Sequence, residues 1–167
     1  QAAMRGSYAP DFRAELWDLM RWRRDVRRFR TDPVEAAVLN RCLQAFALAP
    51  SVGLSEPGRI IRVQSPAARD AAIANFEAAN AEALAAYAAT AAQDGSADRA
   101  ALYAQLKLSG MREAPEHLAV FCDEGTAKGA GLGAQTMAET RAYSVVGAIT
   151  QFWLAARAEG LGLGWVS

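Results

Sequence analysis

Apolar residues at Phe12, Leu16, Leu19 and Met20 recur at helical spacing. They predict a first helix capped by Asp11 and running up to a basic stretch. Val34, Val38, Leu39, Leu43 and Phe46 repeat the pattern. Before them, Asp32, Pro33 and Glu35 read as N-cap, first helical residue and capping-box partner of a second helix, which Pro50 ends. Positions 59–64, RIIRVQ, alternate instead and predict a strand. Ser65 and Pro66 open a long alanine-rich helix through Phe76, Leu84 and Tyr87 to a turn at Asp94 and Gly95. So many alanines predict close packing against another helix, one from a second subunit included. Leu102, Leu106 and Leu108 mark a helix over 97–111, stopped at Ala114 and Pro115. HLAVFC at 117–122 is a short apolar run suited to a buried strand. Over 139–159, Val145, Ile149, Phe152, Trp153 and Ala156 cover so much of a helix that it is expected to be central. Gly160 is placed to stop it in the left-handed conformation. LGLGWVS at 161–167 reads as a tight turn into a strand, and a strand stopping on Ser167 reads as a protein that continues.

Composition narrows the function classes. At 167 residues, 52% hydrophobic and 22% charged, the chain is expected to form one domain with a real core. Its 18 basic and 18 acidic side chains cancel, so general nucleic-acid binding has no basic surface to use. Cys42 and Cys122 lie far apart in apolar contexts without metal-ligand spacing, and read as reduced core thiols of a cytosolic protein. No apolar stretch approaches membrane-spanning length and the start, QAAMRGSYAP, lacks a signal-peptide core, so a soluble cytoplasmic protein is expected. With His117 alone, and that residue reading as structural, a zinc site or a Ser/His/Asp triad has almost no material. Any chemistry is then expected to belong to a cofactor.

The candidate chemistry centres on RWRRDVRRFR at 21–30, six arginines around the single carboxylate of Asp25, with Trp22, Val26 and Phe29 spaced to anchor one face. Such a run in a net-neutral chain reads as a local anion site, because the overall charge does not call for it. Guanidinium forks grip phosphate or carboxylate bidentately and stay charged when partly buried. Asp25 is then either a clamp holding the forks or a working group beside a ligand. The loop APSVGLSEPG at 49–58 carries glycines and prolines that let backbone approach a ligand, with Ser51 as its hydrogen-bonding side chain; as a plain helix-to-strand connector its length is equally ordinary. GAGLG within the glycine-rich loop 123–133 lacks the strand-then-helix context of a dinucleotide fingerprint and is not read as one.

Five separated segments, RRDVRRF at 23–29, APSVGLSEP at 49–57, LKLSGMREAP at 106–115, YS at 143–144 and WLAARAEGLGLGWVS at 153–167, together resemble the flavin-destructase family. These are the 5,6-dimethylbenzimidazole synthases (BluB) among the nitroreductase-like flavoproteins. The resemblance spans nearly the whole chain after its first ten or so residues. It implies an α+β fold in which a central antiparallel or mixed sheet is wrapped by helices, in a single FMN domain over 1–167 lacking its C-terminal strand and arm. It also implies an intertwined homodimer with FMN at the subunit interface and no metal. The implied reaction consumes reduced FMN and O2 and gives the benzimidazole that becomes the lower ligand of vitamin B12, plus erythrose 4-phosphate. A separate flavin reductase is left open as a partner.

Carried over by position, Arg23, Arg24 and Arg27 bind the FMN phosphate and its neighbourhood, with Asp25 and Val26 beside them on the cofactor. Ser51 hydrogen-bonds the flavin and Leu106 lies against it. Asp25, where general nitroreductases usually carry serine, and Ser167 of GWVS, also at the cofactor, are the residues tied to flavin cleavage. Two departures stand out. Glu56, Pro57 and Gly58 replace an expected Gln-Pro-Trp, removing an aromatic wall and an amide contact, and Ala138 stands where a proline is frequent. The alternative activity is an NAD(P)H-dependent nitro- or flavin reductase of the same fold, and a non-enzymatic alternative is a flavin-binding or storage protein. Asp25 favours cleavage, since fragmenting a sugar-like chain needs proton movements that hydride transfer does not.

Overall fold

Pro10, with its φ preset and no N–H to satisfy, takes the first position of helix α1 (Pro10–Trp22), so Ala9 is the N-cap and Asp11 sits in the first turn. The computed structural model describes residues 6–94, 102, 106 and 108–166. Helix α2 (Ala36–Ala47) starts at a Glu35 cap without side-chain bonding. Asp32 does not cap it, lying three residues before the cap position, and its carboxylate meets the Arg30 guanidinium at 2.6 Å. A 3-10 turn (Val52–Leu54) leads into β1 (Gly58–Arg62), and helix α3 (Pro66–Asp94) follows with the Ser65 hydroxyl accepting the Ala68 N–H at 3.2 Å. The side chains of Leu84 and Tyr87 lie outside the described residues, as does most of the helix expected over 97–111. Its helical residues 108–113, here α4, stop before Ala114 and Pro115 as expected. Strand β2 (Leu118–Cys122) and helix α5 (Thr140–Ala158) complete the order.

The two strands pair antiparallel, from Gly58 opposite Cys122 to Arg62 opposite Leu118. The ladder ends short of Gln64, where the Val63 N–H still reaches the His117 carbonyl at 2.9 Å and Arg69 donates to the carbonyls of Val63 (3.2 Å), Ala114 (3.0 Å) and Pro115. Helix α5 is central, as its apolar circumference predicts. It buries Val145, Ala148, Phe152 and Ala156. It packs on α2, the sheet and α1. Leu39, Cys42, Phe152 and Ala156 form the core, with Val34, Phe46, Leu118 and Leu163 packed against it. The helix ends as expected at Gly160, φ +81°, where the Leu161 N–H reaches back to the Ala156 carbonyl (2.8 Å) and the Gly160 N–H to that of Arg157 (3.1 Å). This is the Schellman arrangement that favours glycine. Cys42 and Cys122 are free thiols, and burial pushes both up in pKa. Among the described residues no helix is long and apolar enough to cross a membrane.

Candidate functional site

After α1 the arginine segment runs extended, because it pairs with the stretch that follows α5. The Val26 N–H donates to the Leu163 carbonyl (2.9 Å), the Trp165 N–H donates to Asp25 Oδ1 (3.0 Å), and Asp25 and Leu163 form a parallel bridge. The strand expected at 161–167 is not formed among the described residues: a single isolated bridge at Leu163 stands in its place, and it lies against the arginine segment, not the β1–β2 sheet. Arg27 closes the junction: its Nη2 donates to the Trp165 carbonyl at 2.9 Å and pairs with Asp25 Oδ2. Glycine makes the approach sterically feasible. A Cβ on Gly164 would lie 2.4 Å from the Val26 carbonyl oxygen, one on Gly162 2.9 Å from Val26 Cγ2, and one on Gly110 2.8 Å from the Arg27 carbonyl oxygen. No side chain could be added at Gly164 without moving backbone.

Partner accounting separates the six arginines into two groups. Arg21 leans on Asp18 (3.8 Å), Arg28 on Glu113 (3.6 Å), Arg30 on Asp32 (2.6 Å) and Arg27 on Asp25. Arg23 and Arg24 have no carboxylate partner among the described residues. Arg23 instead lies over the Trp153 ring at 4.7 Å, and Arg24 lies 5.8 Å from the Trp22 ring while donating to the Arg23 carbonyl at 2.8 Å. Arg27 Nε is buried without an acceptor. A buried N–H left unpaired is costly, and it marks the place of an acceptor that an anionic ligand can supply. Arg23 and Arg24 are thus without an acid partner among the described residues, and Arg27 keeps one buried N–H without an acceptor.

The 49–58 loop is held from within and from α5. Ser51 Oγ accepts the Glu56 N–H (2.9 Å), leaving its own hydrogen to donate, and Ser144 Oγ accepts the Val52 N–H (3.0 Å) while donating to the Thr140 carbonyl (2.7 Å). Three loop residues are left-handed, Gly53 (φ 54°), Leu54 (φ 57°) and Glu56 (φ 41°). Non-glycine residues there store strain, a feature that clusters at ligand sites. The GAGLG glycines serve loop-to-loop contact: a Cβ on Gly129 would lie 2.1 Å from the Gly53 carbonyl oxygen. The Ala130 N–H donates to that same oxygen at 3.2 Å, and Lys128 pairs with Glu56. The aromatic wall expected beside Pro57 cannot stand at position 58, where a Cβ would already meet the Phe46 ring at 2.7 Å.

Other residues fall into place around these two clusters. Leu106 is helical and half-buried, and Ser167 lies outside the described residues. His117, the lone histidine, accepts the Val63 N–H on its backbone carbonyl at 2.9 Å, its ring Nε2 is buried without a hydrogen-bond partner, and burial and the Arg69 charge pull its pKa down. In the sequence Ser144 and Trp165 stand out only inside segments that carry the resemblance, and Trp153 there and as an apolar residue of α5. Ser55, 4% exposed with an unpartnered hydroxyl, carries no sequence signal of its own. The spacing of these residues alone carries no signal of contact.

Fold and site together define a class. The chain belongs to the nitroreductase family, whose sequence pattern, described as the Nitroreductase family, matches residues 20–167. The fold is shared with the nitroreductase-like family protein from Bacillus cereus (TM-score 0.59, 19% identity, 99% of this chain and 73% of that one). It is shared likewise with the BluB-like flavoprotein from Clostridium difficile (TM-score 0.59, 20% identity, 91% and 74%). Within the family its relatives are more particular. The chain is 53% identical over 160 residues to 5,6-dimethylbenzimidazole synthase from Rhodospirillum rubrum, covering 96% of this chain and 72% of the relative. It is 49% identical to the protein of that name from Rhodobacter capsulatus, covering 93% and 71%.

Proposed function

We propose that this protein is a 5,6-dimethylbenzimidazole synthase, consuming reduced FMN and O2 to give 5,6-dimethylbenzimidazole, for the lower ligand of vitamin B12, and erythrose 4-phosphate. The observation that carries this reading is Asp25, fixed between the Trp165 N–H and the Arg27 guanidinium inside an arginine cluster that has spare capacity for an anion. The residues fit FMN. Arg23, Arg24 and Arg27 hold the phosphate, Val26 and Leu106 flank the cofactor, and the free Ser51 hydroxyl hydrogen reaches a flavin acceptor. Reduced flavin supplies the reactivity toward O2. The chain supplies binding, orientation and a base: each Asp25 oxygen accepts one bond from the protein and keeps a lone pair, which suits it to take a proton from a ribityl hydroxyl. Ser167 is assigned the orienting hydroxyl. Two free thiols fit a reducing cytoplasm.

Aerobic incubation with chemically reduced FMN, followed by chromatography for the benzimidazole, tests the reading. Release of oxidised FMN and peroxide alone would point to the second reading, an NAD(P)H-dependent nitro- or flavin reductase, which the family match also covers. Phosphate recognition has its own test. Arg27→Ala is expected to weaken FMN binding by about 1.5–3 kcal/mol, the range for a hydrogen bond to a charged group. Riboflavin binding should barely change; equal losses for both ligands would refute the assignment.

We propose further that the working unit is a homodimer with FMN between subunits. Helix α1 buries none of its own residues and presents Phe12 (45% exposed), Leu16 (38%) and Met20 (39%) on one stripe. Such an apolar face on a folded chain marks an interface. A second argument comes from α5. Ser144, which holds the Ser51 loop, and Trp153, which holds Arg23, lie nine positions apart, about half a turn out of phase at roughly 100° per residue. The two clusters therefore pack on opposite faces of one helix, and a flavin touching both combines them from two copies. Sedimentation at micromolar concentration should show one dimeric species. Co-expressing Arg27→Ala with Ser51→Ala should restore FMN sites in mixed dimers, whereas a flavin-loaded monomer would end the idea.

A further inference from the structure

Arg23 is held differently from its neighbours. Four arginines of the segment lean on carboxylates, but Arg23 is half-buried with its Cζ 4.7 Å from the centroid of Trp153. Trp153 is in turn braced by Trp165, ring centroids 6.3 Å apart and planes inclined by 52°. The backbone N–H of Trp165 is the one bonded to Asp25 Oδ1, at 3.0 Å. Phe152, the preceding residue of α5, packs into the core and fixes the register of the helix surface from which Trp153 projects.

We infer that Trp153 is a positioning residue for phosphate recognition, its indole face fixing the Arg23 guanidinium while leaving that group's charge and N–H donors uncommitted. A carboxylate in the same place would take up part of the fork and offset its charge, as Asp25 does at Arg27 Nη2. An aromatic face attracts the cation through the ring quadrupole and claims none of the in-plane N–H groups. Arg23 then meets a dianionic phosphate with its geometry set in advance and its donors free. The arrangement also explains why the segment can hold one arginine without an acid partner in a half-buried position. The inference rests on the reading that this segment binds the phosphate of FMN.

The test compares FMN and riboflavin affinity in the full chain for Trp153→Leu, Trp153→Phe, Arg23→Ala and the double variant Arg23→Ala/Trp153→Leu. Trp153→Leu should weaken FMN by about 2- to 30-fold, the span for a guanidinium on an indole, with riboflavin affected less than about twofold. The phenylalanine variant should recover most of the FMN-to-riboflavin preference, and the double variant should bind FMN no worse than Arg23→Ala, because Trp153 acts through Arg23. Equal losses for FMN and riboflavin, or full additivity in the double variant, would overturn the inference and make Trp153 a packing residue. Should the leucine variant fail to fold, the phenylalanine variant decides: its preference should fall slightly, since a phenyl face binds cations less strongly than an indole, and no fall at all overturns the idea. Loss of preference in Arg23→Ala with none in Trp153→Leu defeats this inference alone. No loss in either Arg23→Ala or Arg27→Ala defeats the phosphate assignment and this inference with it.

Discussion

Asp25→Asn is expected to lower benzimidazole formation by about 10²- to 10⁴-fold, the contribution of a positioned base, while FMN still binds and O2 is still consumed. The geometry says why binding should survive. The asparagine carbonyl can still accept the Trp165 N–H, so the bridge between residues 25 and 163 has its anchor. What is lost is basicity and the ion pair to Arg27, and the Asp25 side chain is 41% exposed, so solvent screening makes that pair a modest contributor. The variant should return oxidised FMN and peroxide, and Ser167→Gly is expected to do the same. Chromatography for the benzimidazole alongside oxygen uptake checks both. Benzimidazole at the parent rate would end the base role, and simple failure to bind flavin would leave Asp25 as a clamp only.

The second large effect is predicted at a residue without a side chain. Gly164→Ala places a Cβ 2.4 Å from the Val26 carbonyl oxygen, a backbone atom that no rotamer change can move away. The two chains must separate, and the Val26–Leu163 and Trp165–Asp25 hydrogen bonds, 2.9 and 3.0 Å, stretch or break. A loss of about 1–3 kcal/mol in stability is expected, as for other overpacked sites, together with weakened FMN binding because Asp25 and Arg27 lose their common support. Gly147→Ala is the matched control: it lies within α5 with nothing within 4 Å of an added Cβ. There alanine should be neutral or stabilise by about 0.5–1 kcal/mol. Thermal unfolding of both variants decides, and equal stability of the two would refute the close approach at Gly164.

Helices α1 and α2 are legible as periodic apolar positions, α3 as an alanine-rich run opened by Ser65 and Pro66, α5 as a run apolar around much of its circumference, and both strands as short apolar or alternating runs, because those signals lie within a few residues of one another. Gly160 was legible for the same reason, since a left-handed helix end is a local event. The helix starts expected at Asp11 and Asp32 lie elsewhere. Pro10 takes the first helical position two residues before the expected one, and α2 starts only at Ala36, beyond the reach of an Asp32 cap.

The anion site divides along the same line. Six arginines within ten residues of a net-neutral chain declare themselves in the sequence. Which arginines keep their donors free could not be read there. That depends on Glu113 reaching Arg28, on Trp165 meeting Arg27 across 138 positions, and on Trp153 sliding under Arg23. The glycines show the same limit: Gly110, Gly162 and Gly164 are visible as letters, but the atoms that each must let pass, backbone at Gly110 and Gly164 and the Val26 side chain at Gly162, come from a segment far away in the chain. Local propensities and caps act over a turn or two. Segment pairing is fixed only once α5 packs into the core and carries the 161–166 stretch to the arginines, and no short-range pattern encodes that meeting.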